Sequence, residues 1–398
     1  MLELKTPEAA RRAVVSRLEA SRPLVEEIAV ALYRNPELGL AETFASQKLA
    51  AMLEADGFAV ERGIAGLPTA FRASWGQGRP AIAFLAEYDA LPGIGHGCGH
   101  NLIAACSMAA VLACKAAVPE DWSGRWLLFG TPAEESLGGK VVMADAGAFA
   151  AADAALIAHP GQRNTLGGQS WASHPLEITF RGRSAHAGGN PQAGINALDA
   201  LVQAYLAIRN LRNCLREDVR LAGIITRGGE AQNVVPDLTQ MRFTVRARDW
   251  RYLEEVVLPA VRQAAEGAAA SSGAQVEFRH HESLFPETLE HPLLAEIARR
   301  NFEALGAPLS PPPEGGGVTD VGSVTWVIPC IQIGYAMTGA RGHSRELADE
   351  TITPRGIEAT VLAAKVLALS ALDLAWNPAA LAEARAHLER ARGQHPGR

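Results

Sequence analysis

The pattern of apolar and polar positions opens with three helical stretches. Thr6 is a capping residue, Pro7 suits a first helical position and Glu8 complements the helix dipole. A second helix is predicted over about Pro23–Tyr33 and a third over about Ala41–Ala55, stopped by Gly57. Three strand-like runs follow: Phe58–Arg62, Thr69–Trp75 and Ala81–Tyr88. The last, AIAFLAEY, is apolar on both faces for most of its length, as a buried central strand should be. A Gly-rich loop, a helix over about Asn101–Ala117, the strand Arg125–Gly130, a helical stretch near Gly139–Ala146 and the strand Ala154–His159 come next. This alternation of strand and helix predicts an α/β fold, a mixed or parallel sheet flanked by helices.

The middle of the chain has a different rhythm. Strand Pro175–Arg181, a helix over about Pro191–Leu211, strands Arg220–Thr226 and Leu238–Arg248, a helix over about Tyr252–Ala270 and strand Gln275–His281 spell β-α-β-β-α-β. That order is the signature of a small split-βαβ, ferredoxin-like domain. After Pro286 come a helix over about Leu293–Leu305, the loop SPPPEGGG, strand Cys330–Tyr335 and a long helix over about Pro354–Trp376. The tail past Pro378 is charged and helix-prone, and is expected to be a solvated end. Residues 173–284 are therefore expected as a domain inserted into a larger one built from 1–172 and 285–398.

Composition narrows the function classes. A chain of 398 residues suggests two or three domains, and a 48% apolar, 20% charged balance is that of an ordinary globular protein. The net charge of −6 is spread without a basic stripe, which argues against a nucleic-acid partner. Five cysteines, at 98, 106, 114, 214 and 330, without a repeated CxxC, argue against a disulfide framework or a structural zinc finger. Reduced thiols and an N-terminus without a continuous apolar run lead to an expectation of a cytoplasmic protein. The apolar run Leu102–Ala113 is too short to span a bilayer and reads as a buried helix, so no membrane partner is expected. Neither GxGxxG nor GxxxxGK[ST] follows a strand, which disfavours nucleotide binding.

Candidate chemistry clusters in five places. In EYDALPGIGHGCGHN, Glu87–Asn101, a buried strand delivers Asp89 to its end and a Gly-rich loop presents His96, Cys98 and His100. A thiolate and an imidazole two residues apart suit a borderline-soft ion such as zinc, with manganese an alternative. In FGTPAEES, the adjacent Glu134 and Glu135 repel one another unless a positive charge compensates. A metal pair supplies that charge, with one Glu as ligand and the other taking a proton from water. A helix N-terminus would favour the same two residues without any metal. His159 ends the apolar strand of ALIAHPG, and His343 lies between glycines in GARGHSRELADE. His186, in FRGRSAHAGGN, falls in the inserted domain and suits polarisation of a substrate carbonyl. Each feature alone fits an ordinary buried or surface side chain. Four of the five, all but the His186 motif, fall at strand ends or in Gly-bearing loops of one domain, which favours one site.

Taken in order, EYDALPGIGHGCGHN, PAEES, AHPG, FRGRSAHAG, GGEAQNVVPD and GHSRE resemble the aminoacylase and glutamate-carboxypeptidase type of dinuclear metallopeptidases and amidohydrolases. The likeness spans nearly the whole chain and is strongest to the p-aminobenzoyl-glutamate hydrolase and β-alanyl-dipeptidase branch. The resemblance implies Cys98, His100, Glu135, His159 and His343 as ligands of two divalent ions, zinc or manganese with cobalt an alternative. It implies Glu134 as general base, Asp89 as the acid that orients a ligand, and His186 as a residue of a dimerisation and lid domain reaching the partner's active site. It also implies that Asn233 lies near a substrate carboxylate and that Gly316, in the run Gly315–Gly317, lines the pocket. Arg246 and Arg341 are candidates to bind that carboxylate. Relatives with Asp after the Gly-His differ from this chain's Asn101. Glu87-Tyr88-Asp89 stands where the family's His-x-Asp motif is expected, so the ligand set there is open to change.

The expected activity is hydrolysis of the amide bond of an N-acyl amino acid or dipeptide by a homodimer. One alternative is hydrolysis of an aromatic xenobiotic amide or amine, and another is a catalytically silent metal-binding scaffold on the same fold. The Glu134–Glu135 pair speaks against the scaffold, and release of free amino acid from a substrate panel would exclude the xenobiotic reading.

Overall fold

The computed structural model describes residues 6–168, 170–311 and 317–394. Gly316 lies outside them. Among the described residues the strands are β1 (Ala59–Arg62), β2 (Phe71–Gly76), β3 (Ala81–Ala86), β4 (Arg125–Gly130), β5 (Ala154–Gly161), β6 (Ala172–Arg181), β7 (Arg220–Arg227), β8 (Leu238–Ala247), β9 (Gln275–His280) and β10 (Cys330–Ala336). The helices are α1 (Glu8–Glu19), α2 (Arg22–Arg34), α3 (Thr43–Ala55), α4 (His100–Ala116), α5 (Gly139–Asp145), α6 (Ala197–Asn210), α7 (Trp250–Tyr252), α8 (Leu258–Ser272), α9 (Pro292–Ala304), α10 (Val321–Thr325), α11 (Arg345–Glu350), α12 (Pro354–Ala375) and α13 (Pro378–Gln394). The chain divides into two compact units. One comprises Met1–Gly168, Thr288–Glu314 and Asp320–Arg398, the other Gln169–Glu287 with Gly315–Thr319.

In the first unit the sheet order is β1-β2-β4-β3-β5-β10. Strands β4, β3, β5 and β10 run parallel, while β1, β2 and β4 pair antiparallel. The sheet is therefore mixed. β3 is buried at every position, and its side chains alternate between two cores. Ile82, Phe84 and Ala86 join α1, α2, α4 and α12 on one face. Ala81, Ala83 and Leu85 join residues of β4, α5 and α10 on the other. Burying one side chain the size of Phe84 contributes about 2–3 kcal/mol. Helix α4 is buried from His100 through Cys114, packed between the sheet, α2 and α12, so the histidine at its first position sits in a fixed frame. Among the described residues no helix is long and apolar enough to cross a membrane, and all five cysteines are free.

The second unit runs β6-α6-β7-β8-α8-β9 and forms an antiparallel sheet of order β7-β8-β6-β9. Helices α6 and α8 pack on one face through Ala200, Leu201, Val261 and Ala265 against Leu176, Ile178, Phe180 and Phe243. On β6, Glu177 carries the opposite periodicity and accepts from Arg242 (2.8 Å) and Arg279.

Some local expectations change. Thr6 does not cap α1. Pro7 takes that position, and the Thr6 hydroxyl donates to Asp373 at 2.7 Å. The helix expected from Pro191 is a short 3-10 turn, Pro191–Ala193, and α6 starts only at Ala197, where Asn196 accepts from Leu198 N at 2.9 Å. The helix expected from Tyr252 begins with α7, then a wide turn at Leu253–Val257, before α8. Pro259 in the first turn of α8 has no N–H to close the ordinary ladder there, which favours the wide turn. The tail is not merely solvated: α13 buries Ala380, Ala384 and Leu388, and the Ala384 carbonyl lies 3.0 Å from His291 Nε2.

A buried polar network ties the N-terminal helix to α12. Asp373 is fully buried and accepts from Thr6, from Arg11 Nη1 at 2.5 Å and from Asn301 Nδ2 at 3.0 Å. Removing the carboxylate leaves these donors without their shared acceptor. Asp373→Ala is expected to destabilise the protein by about 3–5 kcal/mol in urea denaturation; a loss under about 1 kcal/mol would contradict the network's role.

Candidate metal and catalytic site

Parallel strands bring their C-terminal ends to one sheet edge. At this edge β3, β4, β5 and β10 deliver, in turn, the Glu87–Gly99 loop, the Thr131–Gly138 turn, His159 itself and the loop holding His343. Cys98, His100, Glu134, Glu135, His159 and His343 meet here. Three donor groups form, each with its donor atoms within 4.8 Å of one another: Cys98, His100 and His159; Cys98, Glu135 and His343; His100, Glu134 and Glu135. Cys98, His100 and Glu135 each belong to two of them. Cys98 Sγ lies 3.5 Å from His159 Nε2, and His343 Nε2 lies 3.3 Å from Glu135 Oε1. Glu134 Oε2 and Glu135 Oε1 are 3.9 and 4.0 Å from His100 Nε2.

The supporting contacts explain the aim of these side chains. Asp89 Oδ1 accepts from His100 Nδ1 at 2.9 Å, which leaves Nε2 facing the cluster, and Asp89 Oδ2 accepts from Glu135 N at 2.9 Å. His343 holds a left-handed backbone, φ 57°, and its N–H donates to the Gly97 carbonyl at 2.9 Å. Ala133, just before the glutamate pair, is also left-handed at φ 60°. Glu42, fully buried, fixes that turn by accepting from Ala133 N at 2.7 Å and from Thr69 Oγ1 at 2.9 Å. Gly139 is required where the turn meets α5, because a Cβ there would lie 1.9 Å from the Pro132 carbonyl oxygen.

The electrostatics are those of a buried anionic cluster. Burial raises the Glu134 pKa well above the usual carboxylate range, and Glu87 and Asp320 add to the rise. Burial pushes the Cys98 thiol up to about 12 and moves His159 below its ordinary value. Burial alone would lower the Lys140 pKa, but Asp320, Glu87 and Glu134 outweigh it and raise it. The residues fit divalent cations. His100 Nε2 and Glu135 Oε1 are buried without a hydrogen-bond partner, and the mixed sulfur, nitrogen and oxygen donors are those of a borderline-soft ion.

A cavity of about 290 Å³ opens beside the cluster, lined by Cys98, His159, Gln162, Thr338 and Arg341 among others. In the second unit, His186 is exposed, and its Nδ1 accepts from Gly188 N (3.2 Å) and Gly189 N (2.9 Å). Those bonds leave Nε2 as the protonated, donating nitrogen of the neutral ring. Asn233 lies alongside, its carbonyl accepting from Ala187 N at 3.0 Å. Arg246 stands on β8 opposite Ser173 and Arg220, half-buried, with its pKa lowered by that burial. The sequence reading passed over Glu42, Lys140 and Asp320. Lys140 alone carried a signal, a charge in the otherwise apolar GKVVMA.

The model of peptidase family M20/M25/M40 matches residues 83–372. The Xaa-Arg dipeptidase of Mus musculus is 32% identical over 392 residues, covering 93% of this chain and 90% of that one. A p-aminobenzoyl-glutamate hydrolase chain of Escherichia coli (strain K12) is 34% identical over 291 residues, covering 67% of this chain and 60% of that one. The crystal structure of the Bacillus subtilis YXEP protein, described as a dinuclear metal binding peptidase from the M20 family, superimposes with a TM-score of 0.68 at 23% identity. It covers 90% of this chain and 99% of that one. With the family model matched over residues 83–372 and relatives matched along most of its length, the chain belongs to peptidase family M20/M25/M40 and is a metal-dependent hydrolase.

Proposed function

We propose that the protein hydrolyses the amide bond of an N-acyl amino acid or dipeptide at a site holding two divalent cations, with Glu134 as the proton carrier. The observation that carries this reading is the overlap of the donor groups around Cys98, His100 and Glu135, with Glu134 beside them. Cys98, His100, Glu135, His159 and His343 would hold the ions, zinc or manganese with cobalt an alternative. When bound, such ions would lower the pKa of a water at the site and polarise the substrate carbonyl.

The protein's own groups then do the following. Glu134, its carboxylate 3.9 Å from His100 Nε2, takes a proton from the attacking water at Oε2 and returns it to the leaving amine. Asp89 keeps His100 and the Glu135 backbone in register during that exchange. Arg341, lining the same cavity as Cys98 and His159, suits a substrate carboxylate, and takes precedence over Arg246 for that role because it shares the cavity. His186 Nε2–H donates to the carbonyl oxygen as it gains charge, and Asn233 steadies the His186 loop.

In this reading the second unit is a ferredoxin-like dimerisation and lid domain, and His186 serves the partner's site. Its β-α-β-β-α-β order and its exposed apolar side chains support this. Edge strand β7 exposes Ile224 at 65% and Ile225 at 46%, and Val202 and Leu206 on α6 expose 42% and 58%. An open apolar strand edge favours pairing with a second copy. The names of the relatives, an Xaa-Arg dipeptidase and a p-aminobenzoyl-glutamate hydrolase, agree with a small substrate bearing a carboxylate.

Glu134→Gln is expected to retain its cations by elemental analysis while kcat falls by about 10²–10⁴-fold; near-normal turnover on N-acyl amino acids and dipeptides removes Glu134 from the role. His186→Ala is expected to be nearly inactive, yet to regain activity when mixed and re-associated with Glu134→Gln. A mixture no more active than its components means that His186 acts within its own chain. Ile224→Asp is expected to turn dimers into monomers in sedimentation velocity; an unchanged dimer places the interface elsewhere.

A further inference from the structure

Beneath the donor cluster lies a charged triad that the proposed mechanism does not use. Lys140 Nζ is 2.7 Å from Glu87 Oε1 and 2.7 Å from Asp320 Oδ1, and all three side chains are at most 1% exposed. Asp320 grips Lys140 twice, since its Oδ2 also accepts from Lys140 N at 2.9 Å. Lys140 is the one lysine or arginine among the fully buried described residues. The triad links three segments: the end of β3, the start of α5 just past the glutamate pair, and the residue before α10. Two carboxylates against one ammonium leave a net charge of −1 in a medium where an unbalanced charge is strongly unfavourable.

The free end of the triad has a direction. Glu87 Oε2 lies 3.4 Å from His100 Nε2, yet neither atom has a hydrogen-bond partner. The other ring nitrogen of His100, Nδ1, is already engaged by Asp89. Both atoms therefore present unused lone pairs or protons to the same space. Their spacing equals that of two donors on one tetrahedral ion, which is about 3.3–3.5 Å for bonds of about 2.0–2.1 Å. A Lys pairing with Glu87 alone would leave the carboxylate free to rotate away. The double hold of Asp320 on Lys140 fixes the ammonium, and the ammonium forms an ion pair with Glu87 Oε1 that holds the carboxylate on its side.

We infer that Glu87 is a further cation-facing carboxylate of the site, positioned by a Lys140–Asp320 clamp. The inference rests on the reading of the cluster as a divalent-cation site. It makes Lys140 and Asp320 positioning residues that act through Glu87.

The test titrates metal-free full-length protein with Co²⁺ against a competing chelator, following stoichiometry and the visible absorption of the bound ion. Glu87→Gln and Asp320→Asn each remove one negative charge from the triad and leave a neutral pair behind, so both are expected to fold. Thermal unfolding of the metal-free variants checks this. Glu87→Gln is expected to weaken one of two bound ions at least tenfold and to alter its spectrum, whereas Asp320→Asn, which loosens the clamp but leaves Glu87 in place, weakens that ion by a smaller factor. Equal weakening by both variants overturns the inference in favour of a general charge effect, and two ions bound by Glu87→Gln as in the wild type overturn it outright. A Lys140→Met/Asp320→Asn double variant keeps the net charge at −1 but removes the clamp, and is expected to weaken the same ion at least threefold; a smaller change eliminates the clamp. Wild-type protein that binds no Co²⁺ defeats the cation reading itself, which is a different result from a wild type that binds two ions with Glu87→Gln unaffected.

Discussion

Mutual repulsion among buried anions is the constraint around which the first unit is organised. Glu87, Asp89, Glu134, Glu135 and Asp320 crowd one sheet edge, and Lys140 is the single buried ammonium among the described residues to offset them. Gathering such groups destabilises a fold unless something positive compensates. Divalent cations compensate more effectively than further lysines, because each brings two charges and accepts several donors at once. Burial is the main cause of the raised pKa of Glu134 and of the Cys98 thiol, and the neighbouring carboxylates add to both.

The backbone is shaped to meet this constraint. Four parallel strands set the edge, and the buried helix α4 places His100 at its start. Left-handed residues at Ala133 and His343 turn the chain sharply where the donors must face inward. Each is held by a specific bond, from Ala133 N to Glu42 and from His343 N to the Gly97 carbonyl. Strain of this kind, of about 1–3 kcal/mol per residue, persists only where surrounding contacts impose it.

Much of this was legible in the sequence because it is local. AIAFLAEY reads as a central strand since burial on both faces needs an unbroken apolar run, and the Cys98–His100 spacing carries its own chemistry. The order β-α-β-β-α-β is written in alternating patterns that each segment displays alone. What escaped is what depends on partners far along the chain. Nothing beside Glu42 announces that it caps a turn at Ala133, and nothing beside Asp320 announces Lys140. Thr6 looked like a helix cap because local rules could not know that Asp373 waits for its hydroxyl. Likewise α10 and α11, five and six residues long, are too short to express a period. The tail misled for the same reason: the small Ala380 and Ala384 bury well, but leave a weak apolar stripe in a charged segment.

Donors from four strand ends converge in three overlapping groups with Cys98, His100 and Glu135 as the common members, and we propose that they share a pair of cations. Crystals of the cation-loaded protein, measured on either side of the metal's absorption edge, address it directly. Two anomalous peaks per chain are expected, both enclosed by Cys98, His100, Glu135, His159 and His343. A single peak, or peaks lying away from Cys98, would contradict it.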